Sequence, residues 1–150
     1  LWPDTARLFR MNWTISQTDD LAACLELRRI VFMEEQGVSE ADERDGRDGE
    51  ALHVLATAEG EPLGCARILL DGTVAKIGRV CVLQDARGSG LGAAIITACL
   101  DVARGQPGVT RAKLGAQTHA LSFYEKLGFT AFGPVYDDAG LPHRDMERPL

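Results

Sequence analysis

The chain has no apolar run approaching the ~20 residues that a membrane helix needs. Its first residues, with Asp4 and Arg7 around Trp2 and Phe9, lack the apolar stretch of a secretory leader. Both absences point to a soluble, cytoplasmic protein with no membrane partner. The four cysteines, Cys24, Cys65, Cys81 and Cys99, form no C-x-x-C pair and lie far apart in apolar segments. A zinc knuckle or dithiol redox motif is therefore excluded, no metal site is read, and reduced core thiols are expected. Basic residues do not predominate either: 16 Lys and Arg stand against 22 Asp and Glu, which argues against a nucleic-acid partner. Repeats and low-complexity tracts are missing. At 150 residues and 45% hydrophobic, the chain can close one core but is short for two. One domain over 1–150 is expected, with Met11 a candidate initiator and residues 1–10 appended or upstream sequence.

The charge that is present is concentrated. Between Glu34 and Glu50 stand eight acids against Arg44 and Arg47, so this segment alone accounts for the net charge of -6. Asp42, Asp45 and Asp48 recur every third residue rather than every second, which is not calcium-loop spacing. A solvated loop is the favoured reading, over a patch that attracts a cationic substrate.

Around this segment the elements are legible. After a short apolar stretch at Trp13 and Ile15, Thr18 or Asp19 can cap a helix with Leu21, Cys24, Leu25, Val31 and Phe32, together with the stem of Arg28, at helical spacing, ended by Gly37. Residues 52–58 and 63–70 read as strands joined at Glu59-Gly60-Glu61-Pro62, and Asp71-Gly72 turns into a third strand over 73–82, making an antiparallel meander. A helix over about 91–104, broken at Gln106-Pro107-Gly108, leads to a strand at 112–116, a βαβ crossover that makes the two flanking strands parallel. A helix over about 120–127 ends at Gly128, and residues 129–136 and 144–147 form a closing hairpin around Asp137-Asp138-Ala139-Gly140.

Between the third strand and its helix lies Arg87-Gly88-Ser89-Gly90-Leu91-Gly92. Glycines there permit a tight turn with converging N–H groups, the helix start adds unpaired N–H groups and its positive dipole end, and Arg87 offers a forked guanidinium. A diphosphate suits such a turn. Three readings compete: a pyrophosphate cradle for coenzyme A, a dinucleotide cradle of the G-x-G-x-x-A type through Ala93, and a plain glycine-rich turn. The dinucleotide reading is weakened because about eighty residues precede the turn and no acid occurs in 105–116. A nucleoside triphosphate loop would need Lys followed by Ser or Thr where Ala93 and Ala94 stand.

Arg87 to Gly92 matches the (Q/R)-x-x-G-x-(G/A) motif of the GNAT acetyltransferases. Ala120 with Phe123-Tyr124-Glu125-Lys126-Leu127-Gly128-Phe129 resembles their second motif, A-x-x-(L/F)-Y-x-x-x-G-F. Similarity to the ElaA/YjcF-like branch extends through 31–36, Ile77-Gly78-Arg79-Val80, Leu114-Gly115-Ala116-Gln117 and Pro142-His143. The resemblance implies an α/β (α+β) fold with a splayed mixed sheet of about six to seven strands and about four helices. It implies acetyl-CoA as cosubstrate in the V between the strands ending at Val82 and Ala116, with pantetheine against Val80, Cys81 and Val82 and pyrophosphate on Arg87, Gly88, Ser89, Gly90, Leu91 and Gly92. Phe123 of the second motif is placed with the cofactor, and Tyr124 beside the leaving thiolate. Gln117 stands where most members have Asn, a longer amide that still reaches pantetheine. A homodimer fits this family as well.

The chemistry can be weighed apart from the resemblance. Neutralising an alkylamine of pKa about 10.4 at pH 7 costs about 4.6 kcal/mol, so a base or desolvation must help a direct transfer to a small-molecule or peptide amine. Glu34, Glu35, His53, His119 and His143 are candidates, and the branch resemblance favours Glu35 and His143. Tyr124, with a reference pKa of about 10 against about 8.5 for a thiol, is expected to hydrogen-bond the departing sulfur rather than surrender its proton early. Backbone N–H groups near Val80 or Cys81 suit an oxyanion. Cys81 as an acyl-accepting nucleophile has no identifiable base beside it. Arg67 and Arg79, interior charges in apolar strands, need partners such as Glu34 and Glu35, or else bind an acceptor's anionic group. A noncatalytic acyl-CoA sensor and a nucleotide-binding module remain the alternative functions.

Overall fold

The computed structural model describes residues 12–150, which build one seven-stranded mixed sheet in the order β1-β2-β3-β4-β5-β7-β6. The expectations for Met11 and residues 1–10 lie outside the described residues. The strands are β1 (Thr14–Thr18), β2 (Leu52–Ala58), β3 (Glu61–Asp71), β4 (Val74–Val82), β5 (Arg111–Gln117), β6 (Thr130–Asp138) and β7 (Leu141–Pro149). The helices are α1 (Leu21–Arg28), α2 (Glu40–Glu43), α3 (Leu91–Arg104) and α4 (Leu121–Glu125). The apolar stretch at Trp13 and Ile15 leads into edge strand β1, antiparallel to β2.

The meander of β2, β3 and β4 forms as its turn residues dictate, and β4 runs parallel to β5 after the α3 crossover. That parallel pairing is short. Only Val74–Lys76 meets Arg111–Lys113, after which the two strands diverge toward their C-terminal ends. The hairpin strands are longer than expected, and β7 rather than β6 docks on β5, in register from Arg111↔Pro149 to Gln117↔His143. The helix expected over 120–127 is shorter, with α-geometry only over Leu121–Glu125, although Gly128 takes the left-handed conformation expected of it.

Two apolar clusters hold the elements. The larger joins α3, through Leu91, Ile95, Ile96, Cys99 and Leu100, to Val54, Ile68, Ile77, Leu114 and Met146 of the sheet. The smaller sets Cys24, Leu27 and Val31 against Leu55, Cys65 and Cys81 on the other face. All four cysteines are free and buried, as expected of core thiols. The α1 cap is Asp20, one residue beyond Asp19, because its carboxylate reaches the N–H of Ala23 at 3.1 Å. From Arg29 to Glu35 the helix continues with wider π-type bonding, and Gly37 at φ 71° ends it.

The acidic segment departs most from expectation. Most of its acids are exposed, but it is not a plain solvated loop: Ser39 caps α2, and Glu43, Asp45 and Asp48 fold back over three arginines. Arg28 is buried whole, 1% exposed, rather than snorkelling on its stem. It bonds the carboxylate of Glu43, itself 3% exposed, and that of Asp48 at 2.7 Å. Arg67 meets Asp45 at 2.8 Å and Asp48 at 3.2 Å. Arg79 donates to the Glu43 carbonyl at 3.1 Å and lies 3.4 Å from the Asp45 carboxylate. The partners are therefore Glu43, Asp45 and Asp48 in place of Glu34 and Glu35. Alternation in a strand gives no information about which segment will cover it, so these pairs were not readable from local sequence.

Candidate active site

Divergence of β4 from β5 opens a cleft of about 360 Å³. Its walls include Phe32, Gln36 and Val38 after α1, Arg79 and Val80 on β4, Gln117 on β5, Tyr124 on α4, and Tyr136 and His143 on the closing hairpin. Asp42, Glu43 and Asp138 add carboxylates to its rim.

On the β4 side the ladder is interrupted. Cys65 faces Cys81 and Arg67 faces Gly78, so Ala66 stands opposite two residues, Arg79 and Val80. Arg79 adopts φ 51°, the left-handed region that a non-glycine residue rarely enters. Such a bulge leaves backbone groups of the extra residue outside the ladder, here at the cleft wall. The hydrogen bonds of Arg79 to the acidic segment hold it in that conformation.

Past the end of β4 comes the glycine turn. Gly88 at φ 77° and Gly90 at φ 88° both lie in the left-handed region, and Gly90 is the N-cap of α3. Ala94 is the first residue to donate back, to the Gly90 carbonyl at 3.1 Å, so the N–H groups of Leu91, Gly92 and Ala93 have no helical acceptor. Ser89 bonds the Ala86 carbonyl and tightens the turn. Arg87 is already engaged: its Nε donates to the Val82 carbonyl at 2.9 Å and its Nη2 to Glu35 at 2.6 Å. Phe123 lies over Gly92, where a Cβ would come within 3.4 Å of its ring. The donor set, the left-handed turn and the adjacent guanidinium fit a diphosphate.

On the opposite wall Tyr124 packs edge-on against Phe123 and Phe129, with ring centroids 5.0 and 6.0 Å away. Burial, with a smaller contribution from the nearby Cys99, pushes its phenol up to about 12. That lies about 3.5 units above an ordinary thiol, so Tyr124 keeps its proton and offers a hydrogen bond. Gln117 is held at both ends, its amide N–H₂ donating to Gln36 Oε1 at 3.0 Å and its carbonyl accepting from His119 Nε2 at 2.8 Å.

The base candidates separate clearly. His143 Nδ1 lies 2.8 Å from the Leu141 carbonyl, which can only accept, so Nδ1 carries the proton and Nε2 of the neutral ring keeps its lone pair. His143 and His119 line the cleft. His53 does not: it is buried and bonded to the Asp48 carbonyl at 2.9 Å. Glu34 is exposed and paired with Arg29, and Glu35 is brought to Arg87 rather than to the cleft. Cys81 is buried, 3.5 Å from the Cys65 sulfur and not part of the cleft wall. The expected residues Tyr124, His143, Val80 and Gln117 thus share one cleft, while Val82, Phe123 and the segment from Arg87 to Gly92 lie beyond its lining. Gln36, Tyr136 and Asp138 had not been singled out as site residues. Gln36 does fall in the quoted 31–36 stretch, but no local signal marked Tyr136.

Residues 26–150 match the family described as acetyltransferase (GNAT) domain. The chain belongs to the GNAT acetyltransferases. It is 39% identical to the protein YyaT of Bacillus subtilis, covering 91% of this chain and 93% of that one. The crystal structure of Escherichia coli ElaA superposes with a TM-score of 0.79 at 32% identity, covering 92% of this chain and 99% of that chain. An acyl-CoA N-acyltransferase from Pseudomonas aeruginosa superposes equally well, at TM-score 0.79 and 33% identity, with the same coverage. This GNAT protein is an acyl-CoA-dependent N-acyltransferase, and its described residues form a mixed sheet of seven strands with four helices, where about six to seven strands and about four helices are expected. Among its described residues, none of the helices is long and apolar enough to cross a membrane, and no group of metal-ligating side chains occurs.

Proposed function

We propose that this GNAT protein moves an acetyl group from acetyl-CoA directly to a small-molecule or peptide amine within a ternary complex. The single observation that carries this reading is the cleft at the β4/β5 divergence, which joins the bulge at Arg79–Val80, the phenol of Tyr124 and the free Nε2 of His143 in one space. When bound, acetyl-CoA supplies an acyl group already activated as a thioester.

The residues of the chain then have distinct tasks. Amides of the turn from Gly88 to Gly92, with Arg87, hold the diphosphate. Backbone of Val80, Cys81 and Val82, with the Gln117 amide, lines up the pantetheine arm. His143 Nε2 accepts a proton from the acceptor ammonium, directly or through water, which offsets part of the about 4.6 kcal/mol cost of the neutral amine at pH 7. Tyr124 donates a hydrogen bond where the sulfur departs.

The test is release of free thiol from acetyl-CoA with a panel of amines, followed by mass analysis of the acceptor and of the protein. Acetylated acceptor with unmodified protein, lost in His143→Gln, supports the reading. Tight CoA binding without product from any amine would favour an acyl-CoA sensor, and an acyl adduct on Cys81 would overturn direct transfer.

A further inference from the structure

Strands β5, β7 and β6 carry one face toward the cleft, and four residues on it form a connected unit. Tyr136 pairs with His143 across the hairpin, and the two rings stack at 6.0 Å and 26°. The Tyr136 hydroxyl donates to Asp145 at 2.8 Å, two residues along the same strand as His143. Asp145 is in register with Gly115 of β5. A Cβ at Gly115 would collide with the Tyr136 hydroxyl, so the absence of a side chain there is what lets the phenol reach across β7.

We infer that Tyr136 is a positioning residue for His143, anchored by Asp145 and admitted by Gly115. The Leu141 carbonyl sets which imidazole nitrogen carries the proton, and the Tyr136 ring sets the plane in which the other nitrogen faces the cleft. Neither contact suffices alone. A single bond to a carbonyl at the hairpin tip is lost whenever the ring changes rotamer about χ1, and a stack alone does not choose a tautomer. The arrangement gives a physical reason for glycine in Leu114-Gly115-Ala116-Gln117, which the cofactor-binding reading leaves unused. This inference rests on His143 as the proton acceptor, but the structural part can be read without it.

Long-range ¹⁵N–¹H NMR of the three histidines, at a pH where the rings are neutral, measures the tautomer directly, with His143→Gln assigning the signal. The wild type is expected to show His143 protonated at Nδ1. Tyr136→Ala and Gly115→Ala should both let the Nε2–H form appear and lower kcat about tenfold, with KM for acetyl-CoA within twofold. Tyr136→Phe, which keeps the stack, should fall between the wild type and these two variants. Asp145→Ala should resemble Tyr136→Phe, while Asp145→Asn, still an acceptor, should restore the wild-type spectrum. A folded Tyr136→Ala protein with unchanged tautomer and unchanged kcat would overturn the inference. If instead the tautomer shifts while His143→Gln retains full activity, positioning stands and the assignment of His143 as base falls.

Discussion

Two regions of the molecule are built from different forces: α3 on the sheet, and α1 with the acidic segment. In the first, α3 and the sheet beneath it pack through Leu91, Ile95, Ile96 and Leu100, all nearly or fully buried, with no charged partner in the cluster. In the second, α1 and the acidic segment are held by Arg28, Arg67 and Arg79 against Glu43, Asp45 and Asp48. Apolar packing is tolerant of partner identity and gives the glycine turn a rigid base. Paired charges out of water tolerate almost nothing, since removal of one leaves the other uncompensated. The expected acceptor side is thus the more demanding construction, and it also holds Arg79 in the left-handed conformation that shapes the cleft.

The largest effect that would test this contrast comes from Arg28. Arg28→Ala should destabilise the protein by about 3–5 kcal/mol, because buried Glu43 and half-buried Asp48 lose their nearest cation and keep only Arg79 at 3.7 Å and Arg67 at 3.2 Å. Replacing Arg28, Glu43 and Asp48 together by Met, Gln and Asn should cost much less. Denaturant unfolding decides it, and a loss under about 1 kcal/mol for the single variant would mean that water solvates the cluster. In the apolar core under α3, Ile95→Ala should cost about 3 kcal/mol through lost transfer energy and a cavity, with little dependence on pH or salt.

Turnover gives the next effect. Tyr124→Phe should lower kcat about 10- to 100-fold, or about 1.4–2.8 kcal/mol in barrier, while calorimetry shows CoA affinity within twofold. Equal turnover would remove the phenol from the reaction. Gly90→Ala should cost about 1–2 kcal/mol, since a Cβ is strained at φ 88°, and should weaken CoA binding measured by calorimetry.

The smallest effect sharpens the comparison through pH. The Arg67 guanidinium holds the Asp45 carboxyl well below its usual range, and Arg28 and Arg67 outweigh burial to hold Asp48 low as well. A carboxylate whose value is lowered by folding stabilises the native state above its ordinary value of about 3.9 and stops doing so as pH falls through the folded value. Stability should therefore be constant with respect to these groups above about pH 5 and decline on acidification below about pH 4. In Arg67→Met this acid-induced loss should be shallower, as circular dichroism during acid titration would show.

Sequence legibility follows the same division. The meander, the βαβ crossover and α3 were readable because turn chemistry, periodicity and crossover handedness are local or nearly local rules, and α3 spans the expected 91–104. The cleft face of the hairpin was only partly readable. His143 was named, yet its proton position depends on a carbonyl two residues away, and its ring plane on Tyr136 from the neighbouring strand. The acidic segment was readable only in part: its composition is that of a solvated loop and most of its acids are exposed, but Glu43 and Asp48 are drawn inward. What decides otherwise is the presence of three arginines from α1, β3 and β4 under it, separated by up to 37 residues from their partners.

Spacing along the chain was enough to determine the meander, the βαβ crossover and a glycine turn suited to a diphosphate, because these act through backbone geometry that neighbouring residues dictate, while likeness of two motifs supplied the GNAT family. Only the tertiary structure decided which candidates share a site: it took Glu35 to Arg87, buried His53 against the Asp48 carbonyl, and put His143 and Tyr124 in the lining of one cleft. Pairing between distant side chains depends on distance and desolvation in three dimensions, and no local pattern encodes either.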